Sequence, residues 1–204
     1  MTDTSKLTLS DGEMQLVCNT DWILTKHKII DKVYGLLGNL ATAMQHKITA
    51  ADGILPPAVL AAPPKIAKGE NYRQLPYVIL DYPRCFEKEN IFAIRTMFWW
   101  GNFFSCTLHV SGSYKTMFEH AILENIQLLQ QNDFYICTGS DEWQHHFEAG
   151  NYRPVNDYDA VAFKTILQQQ HFIKVAAKFP LQQWSAMEVM LEKSFLDIIQ
   201  ILKN

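Results

Sequence analysis

The residue types best suited to metal binding or acid–base chemistry lie in the stretch Asp141-Glu-Trp-Gln-His-His146. On a helix, Asp141 and His145 would lie four positions apart, as would Glu142 and His146, so each carboxylate would lie beside an imidazole. Carboxylates and imidazoles are common ligands of divalent metals, so these four residues are candidate metal ligands. A polar surface turn is the competing interpretation, because the zinc spacing His-Glu-x-x-His is absent and the di-iron half-motif Glu-x-x-His occurs only once.

A second candidate site lies at the end of the β-prone run 103–110 and just after it. His109, Ser111, Ser113 and Lys115 surround the start of a predicted helix, where free backbone amides can bind an anion. These four residues are candidate ligand-binding groups. The same serines are typical of a turn in which a hydroxyl group only caps the helix, and this interpretation stays open. The phosphate-loop pattern Gly-x-x-x-x-Gly-Lys is absent, which excludes a Walker nucleotide site.

A predicted β-hairpin positions this second site. Two runs rich in aromatic and branched residues, 91–100 and 103–110, are joined by Gly101-Asn102, and a type II′ turn requires glycine at its first central position. That turn would pair Trp100 with Phe103 and place a polar set, framed by aromatic rings, on one face. The members of the set are Thr96, Ser105, Thr107 and His109. Such a face is typical of a small-molecule pocket, and a half-solvated sheet face is the alternative.

The other face of the hairpin would be apolar except for Arg95, which would lie among residues such as Met97 and Leu108. A guanidinium group on an apolar face needs a carboxylate, a phosphate or an aromatic partner. We expect a structural ion pair with Asp81 or Glu89. Recognition of a ligand is the alternative, so Arg95 joins the candidate ligand-binding residues.

The N-terminal third is expected to be helical over 10–48. Ser10-Asp-Gly-Glu13 has the Ser-x-x-Glu spacing of a capping box, and apolar residues recur at helical spacing over 25–46. Four prolines then interrupt the pattern, at Pro56, Pro57, Pro63 and Pro64. Because proline removes a donor and restricts the residue before it, we expect 49–74 to be an extended connector without a regular element.

Strands and helices alternate over the rest of the chain, 75–204. Strands are predicted at 75–82, 134–138 and 172–179 beside the hairpin, and helices at 114–131, 157–170 and 181–202. This order predicts a single α+β domain over 1–204, with a mainly antiparallel sheet and a C-terminal helix. If the strands 103–110 and 134–138 were parallel neighbours, residues 109–115 and 138–142 would meet at one sheet edge.

The composition of the 204-residue chain limits the classes of function. Hydrophobic residues make up 48% of it and charged residues 19%, which favours a folded core over a disordered chain. The net charge of -3 argues against nucleic acid and acidic membranes as partners. No secretory signal or membrane span is recognisable, so a cytoplasmic location is expected. Four cysteines without a Cys-x-x-Cys pair are expected to be reduced core thiols, since three of them (Cys18, Cys106 and Cys137) lie in apolar segments.

The run Arg73-Gln-Leu-Pro-Tyr-Val-Ile-Leu-Asp-Tyr-Pro83, followed by Phe98-Trp-Trp-Gly-Asn-Phe-Phe104, resembles a family of conserved hypothetical bacterial proteins with a domain of unknown function. The resemblance extends to the order of elements over residues 10–180. It implies a single α+β domain and a bacterial cytosolic setting. It brings no catalytic motif, so it implies no activity.

Three classes of function stay open on the sequence alone. The favoured one is a non-catalytic domain that binds a small molecule or a protein partner through the hairpin face around His109. The first alternative is a metal-dependent enzyme that uses His109 or residues 141–146. The second is a structural component of a larger assembly, suggested by the long apolar N-terminal helix. Neither a cofactor nor an oligomeric state follows from the sequence.

Overall fold

The computed structural model describes residues 7–50 and 53–203. In this part of the chain, seven strands form one antiparallel sheet in the order β1-β2-β3-β4-β7-β5-β6, and the main core lies between one sheet face and the helices. The strands are β1 (Lys65–Tyr72), β2 (Leu75–Phe86), β3 (Ile91–Trp99), β4 (Phe103–Ser111), β5 (Tyr135–Cys137), β6 (Tyr152–Pro154) and β7 (Phe172–Pro180). The helices are α1 (Asp11–Cys18), α2 (Thr20–Ala50), α3 (Pro57–Leu60), α4 (Gly112–Glu124), α5 (Ile126–Gln131), α6 (Ala160–Gln169) and α7 (Met187–Ile201), with 3-10 turns at Val155–Asp157 and Leu181–Ala186. The predicted α+β fold is confirmed.

Helix α2 supplies one wall of the core. It contains the predicted helix 25–46 and runs further in both directions. Its buried side chains recur every three or four residues, as expected of an amphipathic helix: Ile30, Val33, Leu37, Leu40, Met44 and Ile48. They pack against the sheet and α7. None of the described helices has both the length and the apolar composition needed to cross a membrane.

The expectation of a connector without regular structure over 49–74 is wrong, because the short helix α3 lies in its first half and a strand occupies most of its second half. β1 lies there and pairs with β2 along one edge of the sheet. All four prolines precede β1, so its backbone amides are free to pair. The sequence of β1, KIAKGENY, contains few apolar residues, as is common for a partly exposed edge strand. A search for apolar runs therefore does not detect it. Residues 51 and 52 of the predicted connector lie outside the described part.

The hairpin of β3 and β4 has a register one residue away from the predicted one. Trp99 pairs with Phe103, so the turn contains three residues rather than the two of a type II′ turn. The backbone amide of Trp100 donates to the carbonyl oxygen of Pro76 in β2 (3.0 Å) and is not used in the hairpin ladder. Gly101 has a φ of 72°, a conformation that glycine adopts without strain. The predicted pairing of Trp100 with Phe103 is therefore wrong.

The observed register divides the candidate ligand-binding residues between the two sheet faces, because a shift of one residue moves a side chain to the opposite face. Thr96 pairs with Cys106 and is buried in the core on the helix side, away from the other candidates. The opposite face carries the other four hairpin candidates: Arg95, Ser105, Thr107 and His109. Arg95 therefore lies near polar side chains rather than on the apolar face.

β7 separates the two strands that flank α4 and α5. It pairs antiparallel with β4 on one side and with β5 on the other, so β4 and β5 run in the same direction but are not neighbours. Their carboxyl ends consequently lie at the same end of the sheet. Residues 138–151, which follow β5, contact the sheet face opposite the helices. We call residues 138–151 the covering segment.

The four cysteines are all free. Cys106 and Cys137 are buried, as expected of thiols in apolar segments, and Cys85 is half-buried. Cys18 is exposed on α1, so its expected place in the core is wrong. Burial raises the pKa of Cys106 to about 12, which makes this thiol a packing group.

Candidate functional site

Arg95 and Asp81 form a charge pair on the sheet face opposite the helices. The guanidinium group donates from Nε to Asp81 Oδ1 (2.7 Å) and from Nη2 to Oδ2 (2.9 Å). The two residues are register partners on β3 and β2, so the sheet itself sets this two-bond geometry. Only 14% and 6% of the two side chains is exposed. The ion pair predicted with Asp81 or Glu89 therefore forms with Asp81.

The remaining amino group of Arg95 contacts the covering segment. Nη1 lies 3.1 Å from His145 Nε2, and because arginine can only donate, Nε2 is the acceptor and the neutral imidazole carries its proton on Nδ1. Burial, followed by the charges of Lys174 and Arg95, holds the pKa of His145 well below its ordinary value. His145 is therefore a neutral acceptor that ties the covering segment to β3.

His109 and Glu142 form a second contact at the carboxyl end of β4. His109 Nε2 lies 2.9 Å from Glu142 Oε2. Burial, followed by the charges of Lys174 and Arg95, lowers the pKa of His109 to about 3. At neutral pH the contact is thus a hydrogen bond from a neutral imidazole to a carboxylate. Residues 109–115 and 138–142 are expected to meet at one sheet edge, and from these ranges His109 and Glu142 are in contact.

Lys174 anchors the covering segment from β7. Its Nζ donates to the carbonyl oxygens of Glu142 (2.8 Å) and Gln144 (2.6 Å) and lies 5.5 Å from the centre of the Tyr152 ring. The residue is 1% exposed, and this burial lowers the pKa of its amino group to about 8. Because irregular backbone must find hydrogen-bond partners when buried, Lys174 determines the path of residues 142–144.

The hydroxyl group of Tyr72, at the end of β1, binds the next part of the covering segment. It accepts from the backbone amides of His145 (2.6 Å) and His146 (3.1 Å) and lies 3.1 Å from His146 Nδ1. Since the two amides use its lone pairs, the hydroxyl donates its proton to Nδ1. Burial, followed by the charge of Arg73, lowers the pKa of His146, so the ring is neutral at pH 7 and carries its proton on Nε2.

A pocket of about 330 Å³ opens beside this histidine, lined by Tyr72, Arg73, Gln144 and His146. Arg73 and Gln74 form the two-residue turn between β1 and β2, and both have positive φ, 49° and 68°. This conformation is strained for side chains other than Gly, Asn and Asp, and strain of this kind is concentrated at functional sites. The turn places the Arg73 guanidinium at the pocket, where it pairs with Glu148 at 2.6 Å.

Three other candidates lie apart from the pocket. Ser111 bonds to backbone groups at the start of β3. The amide of Ser113 donates to Asn90 Oδ1 (2.8 Å), so the start of α4 is capped by a side chain of the protein where an anion was considered. Lys115 pairs with Glu119 on the next turn of α4 (3.1 Å). Ser105 and Thr107 are buried on the same face as Arg95.

The four candidate metal ligands each have a different partner. His145 contacts Arg95, Glu142 contacts His109, His146 contacts Tyr72, and Asp141 accepts from the amide of Trp143. The segment 141–146 is irregular rather than helical, so a spacing of four does not align its side chains. Within residues 7–50 and 53–203, no group of three or more His, Cys, Asp or Glu side chains is arranged to hold a metal ion. The structure directs these side chains to other protein groups rather than to a common centre.

Sequence reasoning misses Tyr72, Arg73, Gln144 and Lys174. The first two lie in the range interpreted as a connector, and their turn has none of the glycine or asparagine that marks a type I′ hairpin. Lys174 does indicate the site, because it is the single charged residue within the apolar run 172–177. A buried lysine needs partners, so it identifies the sheet face where polar backbone must approach.

Comparison with protein-family models, with curated proteins and with solved structures finds no match to this chain. The resemblance to conserved hypothetical bacterial proteins therefore stays a prediction. Function has to be argued from the geometry of the pocket and the covering segment.

Proposed function

We propose that this protein is a non-catalytic binding domain for small carboxylic acids and that its site is the pocket of Tyr72, Arg73, Gln144 and His146. The observation that supports the proposal is the excess of hydrogen-bond donors in the lining. His146 presents Nε2–H, because its Nδ1 accepts from Tyr72. Arg73 adds a guanidinium group and Gln144 an amide. A carboxylate complements this set, since its two oxygens fit the planar guanidinium through parallel hydrogen bonds.

The size and rigidity of the pocket support the same proposal. A volume of about 330 Å³ is at the small end of the range of about 300–1,000 Å³ found for ligand pockets. The hydroxyl group of Tyr72 and the ammonium group of Lys174 hold residues 142–146 in place without a ligand. A preformed site loses less conformational entropy on binding. The lining residues include no serine, cysteine or lysine, so we assign binding rather than covalent catalysis.

Glu148 occupies the position that a ligand carboxylate would take on Arg73. Its ion pair with Arg73 is exposed, with 44% of the arginine and 66% of the glutamate side chain accessible. Exposed ion pairs contribute little to stability because water and salt screen them. A ligand carboxylate can therefore displace the Glu148 side chain from Arg73 at a small cost in free energy. The covering segment does not have to unfold for this.

Thermal unfolding and two-dimensional NMR with acetate, succinate, citrate and inorganic phosphate at millimolar concentration test the proposal. We expect a carboxylic acid to raise Tm by mass action and to shift the amide resonances of residues 73 and 144–146. Arg73→Gln is expected to weaken binding about tenfold or more. Arg153→Gln, at an exposed arginine on β6, is the matched control and is expected to bind as the wild type. The proposal fails if no acid binds, or if both variants respond equally.

We infer a cytoplasmic location as well. The four free cysteines support it, because an oxidising compartment favours disulfides. The net charge of -3 likewise supports a small molecule or a protein, rather than nucleic acid, as the partner. Fractionation of cells that express the tagged full chain tests the location, and recovery from a secreted or membrane fraction would contradict it.

A further inference from the structure

β1 forms one outer edge of the sheet and leads to the pocket. It pairs antiparallel with β2 on one side, and among the described residues no strand pairs with its other side. An edge strand presents a row of backbone amides and carbonyl oxygens to solvent, and these groups can pair with an extended chain. β1 ends at Tyr72, which lines the pocket, and Arg73 follows directly. A chain that adds to this edge can therefore reach the pocket with one of its ends.

The pocket face of β1 carries small residues. Gly69 pairs with Tyr77, whose ring contacts the ring of Tyr72, so these residues share the face on which the pocket lies. Ala67, two positions earlier, lies on the same face. A Cβ atom at Gly69 would lie 2.5 Å from the Tyr77 ring, so the ring lies directly against the backbone of β1. Because Tyr77 is only half-buried, it offers apolar surface to a side chain of an added chain.

The pocket is larger than a carboxylate alone requires. Its volume of about 330 Å³ is roughly ten times the volume of about 30 Å³ that one water molecule occupies. The C-terminal residue of a peptide brings a carboxylate together with a backbone amide and a side chain, so it uses more of this volume than acetate does. Gln144 offers an acceptor as well as a donor, which suits the peptide amide.

The position of Arg73 and the charges of β1 restrict the added chain. A carboxylate on Arg73 requires a peptide that runs parallel to β1, with its C-terminus beside Tyr72. Lys65 and Lys68 of β1 are exposed, and the acidic residue of the strand, Glu70, is paired with a lysine of α2 at 2.6 Å. Lysines on an edge strand oppose pairing with a second copy of the same strand, whereas they attract a chain that carries negative charge.

We propose that the partner of this site is the C-terminus of an extended peptide, which adds to the outer edge of β1 and places its carboxylate on Arg73. This inference rests on the proposed carboxylate site and names its partner. Main-chain hydrogen bonds to an edge strand give affinity with little dependence on peptide sequence, and the pocket selects a free carboxylate. A small acid uses only the pocket, so the peptide binds more tightly.

Fluorescence anisotropy with a hexapeptide of alternating threonine and valine, labelled at its N-terminus, tests this partner. The free acid is expected to bind at least tenfold more tightly than acetate, measured by competition, and amidation of the C-terminus is expected to weaken binding about tenfold or more. Arg73→Gln is expected to weaken the free acid by a similar factor and to leave the amide unchanged. Arg153→Gln, on the edge strand at the other end of the sheet, is the matched control and is expected to change neither. Equal binding of the free acid and the amide overturns the proposal.

NMR hydrogen exchange tests the edge itself. Every second residue of a strand bonds to a given neighbour, so we expect the free-acid peptide to protect alternate amides of residues 65–72. For the same reason, of two peptides N-methylated at alternate positions, one is expected to lose binding about tenfold and the other to retain it. Equal binding of these two peptides overturns the proposal, as does a wild-type dimer in which the amides of β1 are already protected.

The acetate arm separates failure of this inference from failure of the proposed function. If acetate shifts the resonances of residues 73 and 144–146, but the peptide binds no more tightly and leaves β1 unchanged, the carboxylate site stands and the peptide partner is wrong. If neither acetate nor the peptide binds, both proposals are wrong.

Discussion

Arg95 binds Asp81 through two parallel hydrogen bonds and directs its third contact to His145 in the covering segment. Lys174 and Tyr72 also hold this segment, but through its backbone: Lys174 donates to carbonyl oxygens, and the Tyr72 hydroxyl group accepts from amides. Irregular backbone packed against a sheet needs such partners, since its amides and carbonyls have no strand to pair with. The polar residues of this sheet face therefore hold the covering segment, and the pocket forms where the segment meets the turn between β1 and β2.

Asp81→Asn is expected to destabilise the protein by about 3 kcal/mol, because it leaves a largely buried guanidinium group without its carboxylate. Urea unfolding followed by circular dichroism measures this change. Glu192→Gln, which removes the ion pair between α7 and Lys47 of α2, with 30% and 49% of the two side chains exposed, is the control and is expected to cost less than about 1 kcal/mol. Equal losses in the two variants would show that the Arg95 pair contributes no more than a surface pair.

Lys174→Met is expected to release the covering segment, because two carbonyl oxygens lose their donor and methionine fills a similar volume. We expect a loss of about 1–3 kcal/mol in the free energy of unfolding and faster hydrogen exchange at residues 141–146. Lys164→Met, at an exposed lysine on α6, is the matched control. Unchanged exchange in the Lys174 variant would show that other contacts fix the segment.

Local patterns account for most of the elements, and a long-range contact accounts for the error in the hairpin. The apolar periodicity of α2 and the aromatic strands β3 and β4 are properties of neighbouring residues, so the sequence reveals them. The register depends on Trp100, whose amide bonds to Pro76 in a different strand. A turn rule that considers only Gly101-Asn102 cannot include that bond. It therefore pairs each residue of β3 with a residue of β4 that is one position away from its true partner.

The pocket depends on the same kind of distant contact. Tyr72 reaches residues 145 and 146, more than seventy positions away in the chain, and nothing local to either part indicates the pairing. His109 and Glu142 are different, since the common direction of β4 and β5 brings their carboxyl ends to one end of the sheet. The order of the strands and helices therefore predicts the contact of His109 with Glu142. The contact of Tyr72 with residues 145 and 146 can be found only in the folded structure.

Two tyrosine hydroxyl groups are expected to differ sharply in their contribution to stability. Tyr72→Phe leaves two backbone amides and His146 without a partner and is expected to cost about 2 kcal/mol. The hydroxyl group of Tyr152 is buried, with the Thr107 side chain as a polar neighbour but no hydrogen bond of normal geometry among the described residues. Tyr152→Phe removes an unsatisfied group without a change of shape, so we expect it to be neutral or stabilising by up to about 1 kcal/mol. Thermal denaturation of both variants measures the difference, and similar losses would contradict it.

Mild acid is expected to destabilise the protein through its buried histidines. Burial lowers the pKa of His109 to about 3, below its ordinary value of 6.5, and that of His145 is also well below this value. Between pH 6.5 and 3 the unfolded chain therefore binds protons that the folded chain does not, and the free energy of unfolding falls as the pH falls. Each buried histidine contributes a slope of up to about 1.4 kcal/mol per pH unit.

Urea unfolding between pH 6.5 and 5 measures this slope, because that interval lies below the ordinary histidine pKa of 6.5 and above the pKa values of Glu13 and Glu70, which are lowered from 4.5. His109→Gln, which retains a donor for Glu142, is expected to reduce the slope without abolishing it, because the pKa values of His145 and His146 are lowered as well. His46→Gln, at an exposed histidine on α2, is expected to leave the slope unchanged. A slope in His109→Gln equal to that of the wild type would mean that His109 takes up its proton in the folded protein, and that its contact with Glu142 strengthens as the pH falls.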